Sequence, residues 1–206
     1  MKSIVSKEEY LNNPCGTLSI PYYKAKVIPI PDSIVILHED DFHHQLKDYQ
    51  RYFRLIHPLK EVKPVKDGLE TLCISEDLLQ LLNVCFEKEN IEISLEDLYG
   101  MESHSTFHQN LWVGIRVEGK LIACGIAEFD KECREGSIEW ICVLPEYQRR
   151  GYGSNLIVGL LHKFKELGAD FVTVSGRVDN ASSPEKFYRF CGFTGSDIWY
   201  ICTKEG

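Results

Sequence analysis

The segment from Val143 to Ser154 constrains the fold of this chain more than any other part of the sequence. It joins an apolar run, Ile138 to Val143, to an amphipathic run that starts at Arg150, and the turn between them carries glycines at 151 and 153. A strand followed by a glycine-bearing turn and a helix exposes the unpaired N–H groups of the first helical turn at the positive end of the helix dipole. Because glycine has no Cβ, an anion can approach the backbone closely. The segment therefore predicts a diphosphate-binding loop.

Three nucleotide-binding patterns share this local structure, and the residues separate them. A P-loop ends in Gly-Lys-Ser/Thr, whereas Gly153-Ser154-Asn155 has no lysine. A dinucleotide fingerprint needs a third glycine where this chain has Leu156. The remaining pattern is Gln/Arg-x-x-Gly-x-Gly/Ala, and Gln148-Arg149-Arg150-Gly151-Tyr152-Gly153 fits it.

Hydrophobic periodicity around this loop predicts a mixed α/β sheet with helices on both faces. The helix after the loop, Arg150 to Leu167, carries one apolar stripe and is followed by Gly168, which suits a C-cap. The other predicted helices are Ser75 to Cys85, Ser94 to Met101 with a capping box, and Pro184 to Cys191. The predicted strands are Glu70–Ile74, Leu111–Val117, Lys120–Glu128, Ile138–Val143, Phe171–Ser175 and Ile198–Cys202.

A charged connector at residues 60–68 separates these elements from the N-terminal part of the chain. Prolines break that part into short pieces, among which strands are predicted over Ser33–Leu37 and Tyr52–Ile56 and a helix over Asp40–Tyr49. The segment is too small for a second full domain. We therefore expect residues 1–67 to form an extension that packs on a domain spanning residues 68–206, with an acceptor-side or interface role.

Composition excludes several classes of function. The net charge of −8 argues against a nucleic-acid-binding protein. No apolar run approaches the roughly 18 residues of a membrane helix, and the polar N-terminal residues do not resemble a signal peptide, so a cytoplasmic protein without membrane contact is expected. None of the eight cysteines forms a Cys-x-x-Cys pair, so we expect reduced, mostly buried cysteines and no metal.

Four segments of the sequence occur together in a characteristic order. They are Glu139-Trp140-Ile141-Cys142-Val143-Leu144-Pro145, Gln148 to Gly153, Asn180, and Tyr188-Arg189-Phe190-Cys191-Gly192-Phe193. On these segments and on the order of predicted elements, residues 68–206 resemble the GNAT superfamily of acyl-CoA N-acyltransferases. The resemblance implies a mostly antiparallel mixed sheet in which a central parallel pair of strands splays apart.

The resemblance also implies a co-substrate, acetyl-CoA, and its place. Pantetheine would thread between the strands at 138–143 and 171–175 and pair with the backbone of Ile141 and Val143, while the pyrophosphate would meet the N–H groups from Arg149 to Ser154. The residues implied to bind coenzyme A are Ile141, Cys142, Val143, Gln148, Arg149, Arg150, Gly151, Tyr152, Gly153, Ser154, Asn180 and Tyr188. The spacing from Asn180 to Tyr188 is one residue longer than is usual in the family.

Two residues are candidates for the proton transfers of an acyl transfer to an amine. Tyr188 lies four residues before Gly192, where the family commonly has the general acid for the departing thiolate; the alternative is a buried aromatic that packs the short helix. By the period-2 alternation of a strand, Glu139 is expected to share a face with Ile141 and Val143. It is a candidate general base, with ammonium binding or a plain salt bridge as alternatives. His104 and His108 are read as loop histidines whose loop could line the acceptor pocket.

The sequence thus predicts an enzyme that transfers an acetyl group from acetyl-CoA to a primary amine by direct attack in a ternary complex. Two alternatives remain open: a non-catalytic acyl-CoA-binding module and a transferase with a longer acyl donor. The acceptor is expected to be a small-molecule or peptide amine, and the protein a monomer or homodimer.

Overall fold

The computed structural model describes residues 6–16, 30–42, 48–66 and 68–203. The strands are β1 (Ile34–His38), β2 (Tyr49–His57), β3 (Glu70–Thr71), β4 (Trp112–Val117), β5 (Lys120–Asp130), β6 (Glu135–Val143), β7 (Phe171–Arg177) and β8 (Thr194–Thr203). The helices are α1 (Lys7–Asn12), α2 (Glu76–Phe86), α3 (Leu95–Glu102), α4 (Tyr152–Glu166) and α5 (Pro184–Phe190). This mixed, mostly antiparallel α/β arrangement confirms the predicted fold class.

The chain divides into two compact units. The central unit is Pro58–Val172, and the terminal unit combines Met1–His57 with Thr173–Gly206. The predicted boundary between an extension of residues 1–67 and a domain of residues 68–206 stays a prediction.

In the central unit, β3, β4, β5 and β6 pair in chain order, each antiparallel to the next. Helix α4 packs on one face of this sheet, where Leu160 lies at Gly125 and the ring of Phe164 lies at Gly136. A Cβ at Gly136 would stand 2.5 Å from that ring, so only glycine fits there. Helix α2 covers the other face, where Phe86 meets Trp140. Helices therefore cover both faces of this sheet, as predicted.

Local signals in the sequence account for the ends of these helices. The Ser75 hydroxyl accepts the N–H of Leu78 at the start of α2, and Ser94 forms the predicted capping box with Asp97 at the start of α3. After α4, Gly168 has a left-handed backbone with φ 80. The predictions for these three helices are confirmed.

The terminal unit contains a strand order that local sequence patterns do not predict. Both β1 and β2 pair antiparallel with β8, and β2 lies between β8 and β7. The N-terminal segment thus supplies a strand between two strands from the C-terminal part of the chain. Phe53 on β2 is fully buried.

The N-terminal predictions had mixed outcomes. The strands predicted over Ser33–Leu37 and Tyr52–Ile56 are confirmed as parts of β1 and β2. The helix predicted over Asp40–Tyr49 is wrong at its end, because Tyr49 opens β2; its start overlaps a 3-10 turn at Glu39–Asp41, and residues 43–47 lie outside the described residues. None of the helices among the described residues combines the length and the hydropathy that a membrane-spanning helix needs.

Candidate active site

The predicted diphosphate loop lies in the central unit between β6 and α4. A 3-10 turn at Pro145–Tyr147 leads out of β6, and the side-chain amide of Gln148 donates to the Val143 carbonyl at 3.1 Å, which ties the loop back to the end of the strand. Gly151 is the N-cap of α4 with φ 89, and Arg149 is also left-handed with φ 63. This backbone conformation costs a non-glycine residue about 1 kcal/mol or more, and such strain concentrates at ligand sites.

The loop presents a set of backbone donors with no protein acceptor. The first intrahelical bond runs from the Asn155 N–H to the Gly151 carbonyl at 3.0 Å. Among the residues that the structure describes, no group accepts the N–H groups from Arg149 to Ser154. A Cβ at Gly151 would meet nothing within 4 Å, so the space above the backbone is open. These donors sit at the positive end of a 15-residue helix, which is the arrangement that binds phosphate groups.

Two arginines add positive charge beside these donors. The side chains of Arg149 and Arg150 are exposed, and the Arg150 guanidinium lies 5.4 Å from the centre of the Tyr147 ring. That cation–π contact holds one positive charge close to the loop. The fit to a diphosphate therefore rests on donors, charge and open space together.

The strand that leads into the loop carries the residues predicted to border pantetheine. Ile141 pairs with Gly125, and its side chain lies there beside Leu160 of α4. Cys142 pairs with Cys124 on the opposite face and is buried, next to Cys85 of α2. The hydrogen bond with Cys124, and then burial, hold the pKa of the Cys142 thiol well above its ordinary value. A thiol with a raised pKa stays protonated at neutral pH and is a poor nucleophile.

A β-bulge lies at Glu139. Trp140 pairs with Ile126 and Ile138 pairs with Ala127, so Glu139 is the extra residue on β6. The carboxylate of Glu139 accepts from the Ser137 hydroxyl at 2.7 Å, and Ser137 stands opposite Glu128. The prediction that Glu139 shares a face with Ile141 and Val143 is therefore wrong, because the inserted residue shifts the alternation and turns its carboxylate to the face of Glu128.

That face holds a cluster of polar side chains that no local sequence pattern predicts. Glu128 is 3% exposed, and its two oxygens accept from the Thr106 hydroxyl and from His104 Nδ1, both at 2.7 Å. The loop before β4 is anchored to β5, since the Phe129 N–H donates to the Thr106 carbonyl at 2.8 Å. Glu128 and His104 are 24 residues apart, and no spacing rule connects them.

Asn180 and Tyr188 belong to the terminal unit. The side-chain oxygen of Asn180 accepts from the N–H and the hydroxyl of Ser182, at 2.9 and 2.8 Å. Ser183 follows with a left-handed backbone, φ 53, and is the N-cap of α5. The implied contact between Asn180 and pantetheine stays a prediction.

Tyr188 lies on α5 and is 7% exposed. Its ring packs edge-on against Phe193 with ring centroids 5.7 Å apart, and it is tilted against Phe53 with ring centroids 6.2 Å apart. The Tyr188 ring therefore packs the short helix, as the alternative interpretation of the sequence expected. The role of the Tyr188 hydroxyl as a general acid stays a prediction.

The structure therefore places ten of the predicted residues on one continuous segment of the central unit, from Ile141 to Ser154. Glu139 lies just before this segment, at the bulge. Among the residues that the structure describes, no group of three His, Cys, Asp or Glu side chains could hold a metal ion.

The comparisons with known proteins agree with this geometry. The model of the acetyltransferase (GNAT) family matches residues 75–193. That match covers more than half of the chain and includes β4 to α5 and the loop between β6 and α4. The chain belongs to the acetyltransferase (GNAT) family.

Solved structures show the same fold at low sequence identity. A GCN5-related N-acetyltransferase from Sphaerobacter thermophilus matches with a TM-score of 0.65 and 15% identity, over 79% of this chain and 53% of that one. This chain thus spans about half the length of the Sphaerobacter protein. An acetyltransferase of the family from Novosphingobium aromaticivorans matches with a TM-score of 0.58 and 17% identity, over 89% and 79% of the two chains.

A third match is the ribosomal-protein-S18-alanine N-acetyltransferase from Escherichia coli, with a TM-score of 0.51 and 18% identity, over 68% of this chain and 96% of that one. A sequence search of curated proteins gives no significant match.

Proposed function

We propose that this protein transfers an acetyl group from acetyl-CoA to a primary amine by direct attack in a ternary complex. The observation that carries the proposal is the row of backbone donors from Arg149 to Ser154, which has no acceptor among the described residues and lies under open space at Gly151. Membership of the acetyltransferase family supports the reaction class, and the open row of backbone donors supports the loop as the proposed place of the co-substrate's diphosphate.

Direct attack is favoured over a covalent acyl-enzyme because the cysteine nearest to the proposed pantetheine site is buried and has a raised pKa. Cys142 lies on the strand proposed to border pantetheine, but it is buried and its pKa is raised by the hydrogen bond with Cys124 and by burial. Cys85, its neighbour on α2, also has a raised pKa, through its hydrogen bond with Cys142 and through burial. Since the thiolate is the nucleophile, neither cysteine is prepared to accept the acetyl group.

In this proposal, different residues bind the co-substrate and transfer the protons. The acetyl thioester supplies the electrophilic carbon. The loop from Gln148 to Ser154 binds the diphosphate, and Glu139 receives a proton from the acceptor ammonium. Tyr188 donates a proton to the departing sulfur. General acid–base catalysis of this kind contributes about 10²- to 10⁴-fold, and most of the remaining acceleration comes from holding both reactants in place.

The test is a release assay for the free thiol of coenzyme A, run with acetyl-CoA and a panel of amines. The panel contains small primary amines, an aminoglycoside, amino acids and a peptide with a free N-terminus. Turnover with at least one acceptor, accompanied by the mass of the acetylated amine, is expected. Tight binding of acetyl-CoA without turnover across the panel would contradict an enzyme and favour a binding module.

A further inference from the structure

The polar cluster beside the bulge contains a carboxylate and an imidazole, arranged as in sites where the carboxylate orients the imidazole for catalysis. Glu128 is almost fully buried, and its Oε1 lies 2.7 Å from His104 Nδ1. A carboxylate accepts hydrogen bonds and does not donate them, so Nδ1 carries the proton of the neutral imidazole and Nε2 keeps its lone pair. The hydroxyl of Thr106 holds the other oxygen of Glu128 at 2.7 Å, which fixes the carboxylate.

The second ring nitrogen of His104 is available for chemistry. In the part of the chain that the structure describes, no group makes a hydrogen bond with His104 Nε2. The His104 side chain is 19% exposed, whereas the Glu128 side chain is 3% exposed. Glu128 is therefore a buried group that orients the ring, and His104 is a partly exposed base. A proton received at His104 Nε2 can pass on to water.

The pair lies on the same face of the sheet as the proposed proton acceptor Glu139. Ser137 stands opposite Glu128 on the neighbouring strand, and its hydroxyl donates to Glu139 at 2.7 Å. The ionisable groups that share this face of β5 and β6 are Glu128, Asp130, Glu135, Glu139, Cys124 and Cys142. His108 lies in the same loop as His104, but its Nδ1 accepts the Asn110 N–H at 3.3 Å.

We propose that His104, oriented by Glu128, is a second general base for the acceptor amine. This inference rests on the proposed function. A primary amine reaches neutral solution as an ammonium ion, and it must lose one proton before its nitrogen can attack the thioester. That proton passes to His104 Nε2, either directly or by way of Glu139, and then to water. After attack, the new amide nitrogen loses its second proton to water as Tyr188 protonates the departing sulfur; the Tyr188 phenolate then takes one proton back from water, so that one proton is released per turnover.

The test compares four pH profiles of kcat/KM, those of the wild type and of three variants, measured with an acceptor identified by the amine panel. His104→Asn keeps a side-chain N–H near the position of Nδ1 for Glu128 but removes the base. His108→Asn is the matched control in the same loop. Glu128→Gln tests the positioning role, since it removes the charge that holds the imidazole tautomer. Thermal unfolding of each variant checks that the fold is retained.

We expect the wild type and His108→Asn to share an acidic limb in their profiles. His104→Asn should lose that limb, and its kcat/KM at neutral pH should fall about 10²-fold. In the Glu128→Gln variant, the acidic limb of the kcat/KM profile should lie at a different pH from that of the wild type. If His104→Asn is active and keeps the wild-type limb, the proposal is wrong while the proposed function stands. If the wild type turns over no amine in the panel, the proposed function fails and this proposal fails with it.

Discussion

Replacement of Gly151 by alanine separates the cost of backbone strain from the cost of lost diphosphate binding. Gly151 has φ 89, and a Cβ added there would meet no protein atom within 4 Å. The only cost to the free protein is therefore the left-handed conformation, about 1–2 kcal/mol for an L-residue. For a chain of this size, that corresponds to a fall in Tm of about 2–8 °C.

The chain offers a matched control at the other end of the same helix. Gly168 has φ 80, and a Cβ there would also meet nothing within 4 Å. Gly168→Ala should lower the Tm by a similar amount, because both substitutions force alanine into the same backbone region. Gly168 lies outside the proposed diphosphate loop, so its substitution should leave the binding of acetyl-CoA unchanged.

Binding should distinguish the two variants. The methyl group of Gly151→Ala occupies the open space above the donors and prevents at least one close N–H contact with a phosphate oxygen. A hydrogen bond to a charged group contributes about 1.5–3 kcal/mol, so the Kd for acetyl-CoA should rise about 10- to 150-fold. Isothermal titration calorimetry measures this directly. Equal Kd values for Gly151→Ala, Gly168→Ala and the wild type would refute the assignment of the loop.

Three further predictions test other parts of the account. Tyr188→Phe keeps the ring that packs against Phe193 and removes the hydroxyl, so kcat should fall about 10²-fold with an unchanged Kd for acetyl-CoA; an unchanged kcat would exclude Tyr188 as the acid. Phe53→Ala should lower the free energy of unfolding by about 3–5 kcal/mol in urea titrations, because Phe53 is fully buried in the terminal unit; a loss below 1 kcal/mol would contradict that packing. Burial lowers the pKa of His57, so the unfolded chain binds its proton more tightly, and stability should fall as the pH drops through the ordinary histidine value of about 6.5. The Tm loss between pH 7.5 and 5.5 should be smaller in His57→Asn than in the wild type, and equal losses would argue against this contribution.

Local patterns predicted most of the elements because their causes are local. The hydroxyls of Ser75 and Ser94 cap their helices, and the stripe from Leu156 to Phe164 is buried. The loop before α4 was predictable for the same reason, since its glycines and the helix start lie within six residues of each other. The conformation of this loop is therefore predictable from local sequence patterns.

The polar cluster at the bulge could not be predicted in the same way. The bulge at Glu139 depends on how β6 pairs with β5, and a regular alternation gave the wrong face for its carboxylate. The bond between His104 and Glu128 depends on a loop returning to a strand 24 residues later. A buried glutamate at the end of an apolar strand was the one available signal, because a carboxylate is rarely buried without a partner.

The position of β2 is also a long-range feature. Its sequence predicts a strand, but its place between β7 and β8 depends on pairing with residues about 145 positions away, such as Phe53 with Ile198. Strand order of this kind follows from the packing of the whole terminal unit, and no local pattern encodes it.

The central claim is that the backbone donors between β6 and α4 hold the diphosphate of an acyl-CoA. Its most direct test is a calorimetric titration of the wild-type protein with acetyl-CoA and, in parallel, with S-acetylpantetheine, which carries the same thioester but lacks the diphosphate and the phosphorylated adenosine attached to it. We expect acetyl-CoA to bind at least tenfold more tightly, in line with one or more charged hydrogen bonds at the loop. Equal affinities for the two compounds, or no heat of binding with acetyl-CoA at millimolar concentration, would contradict the account.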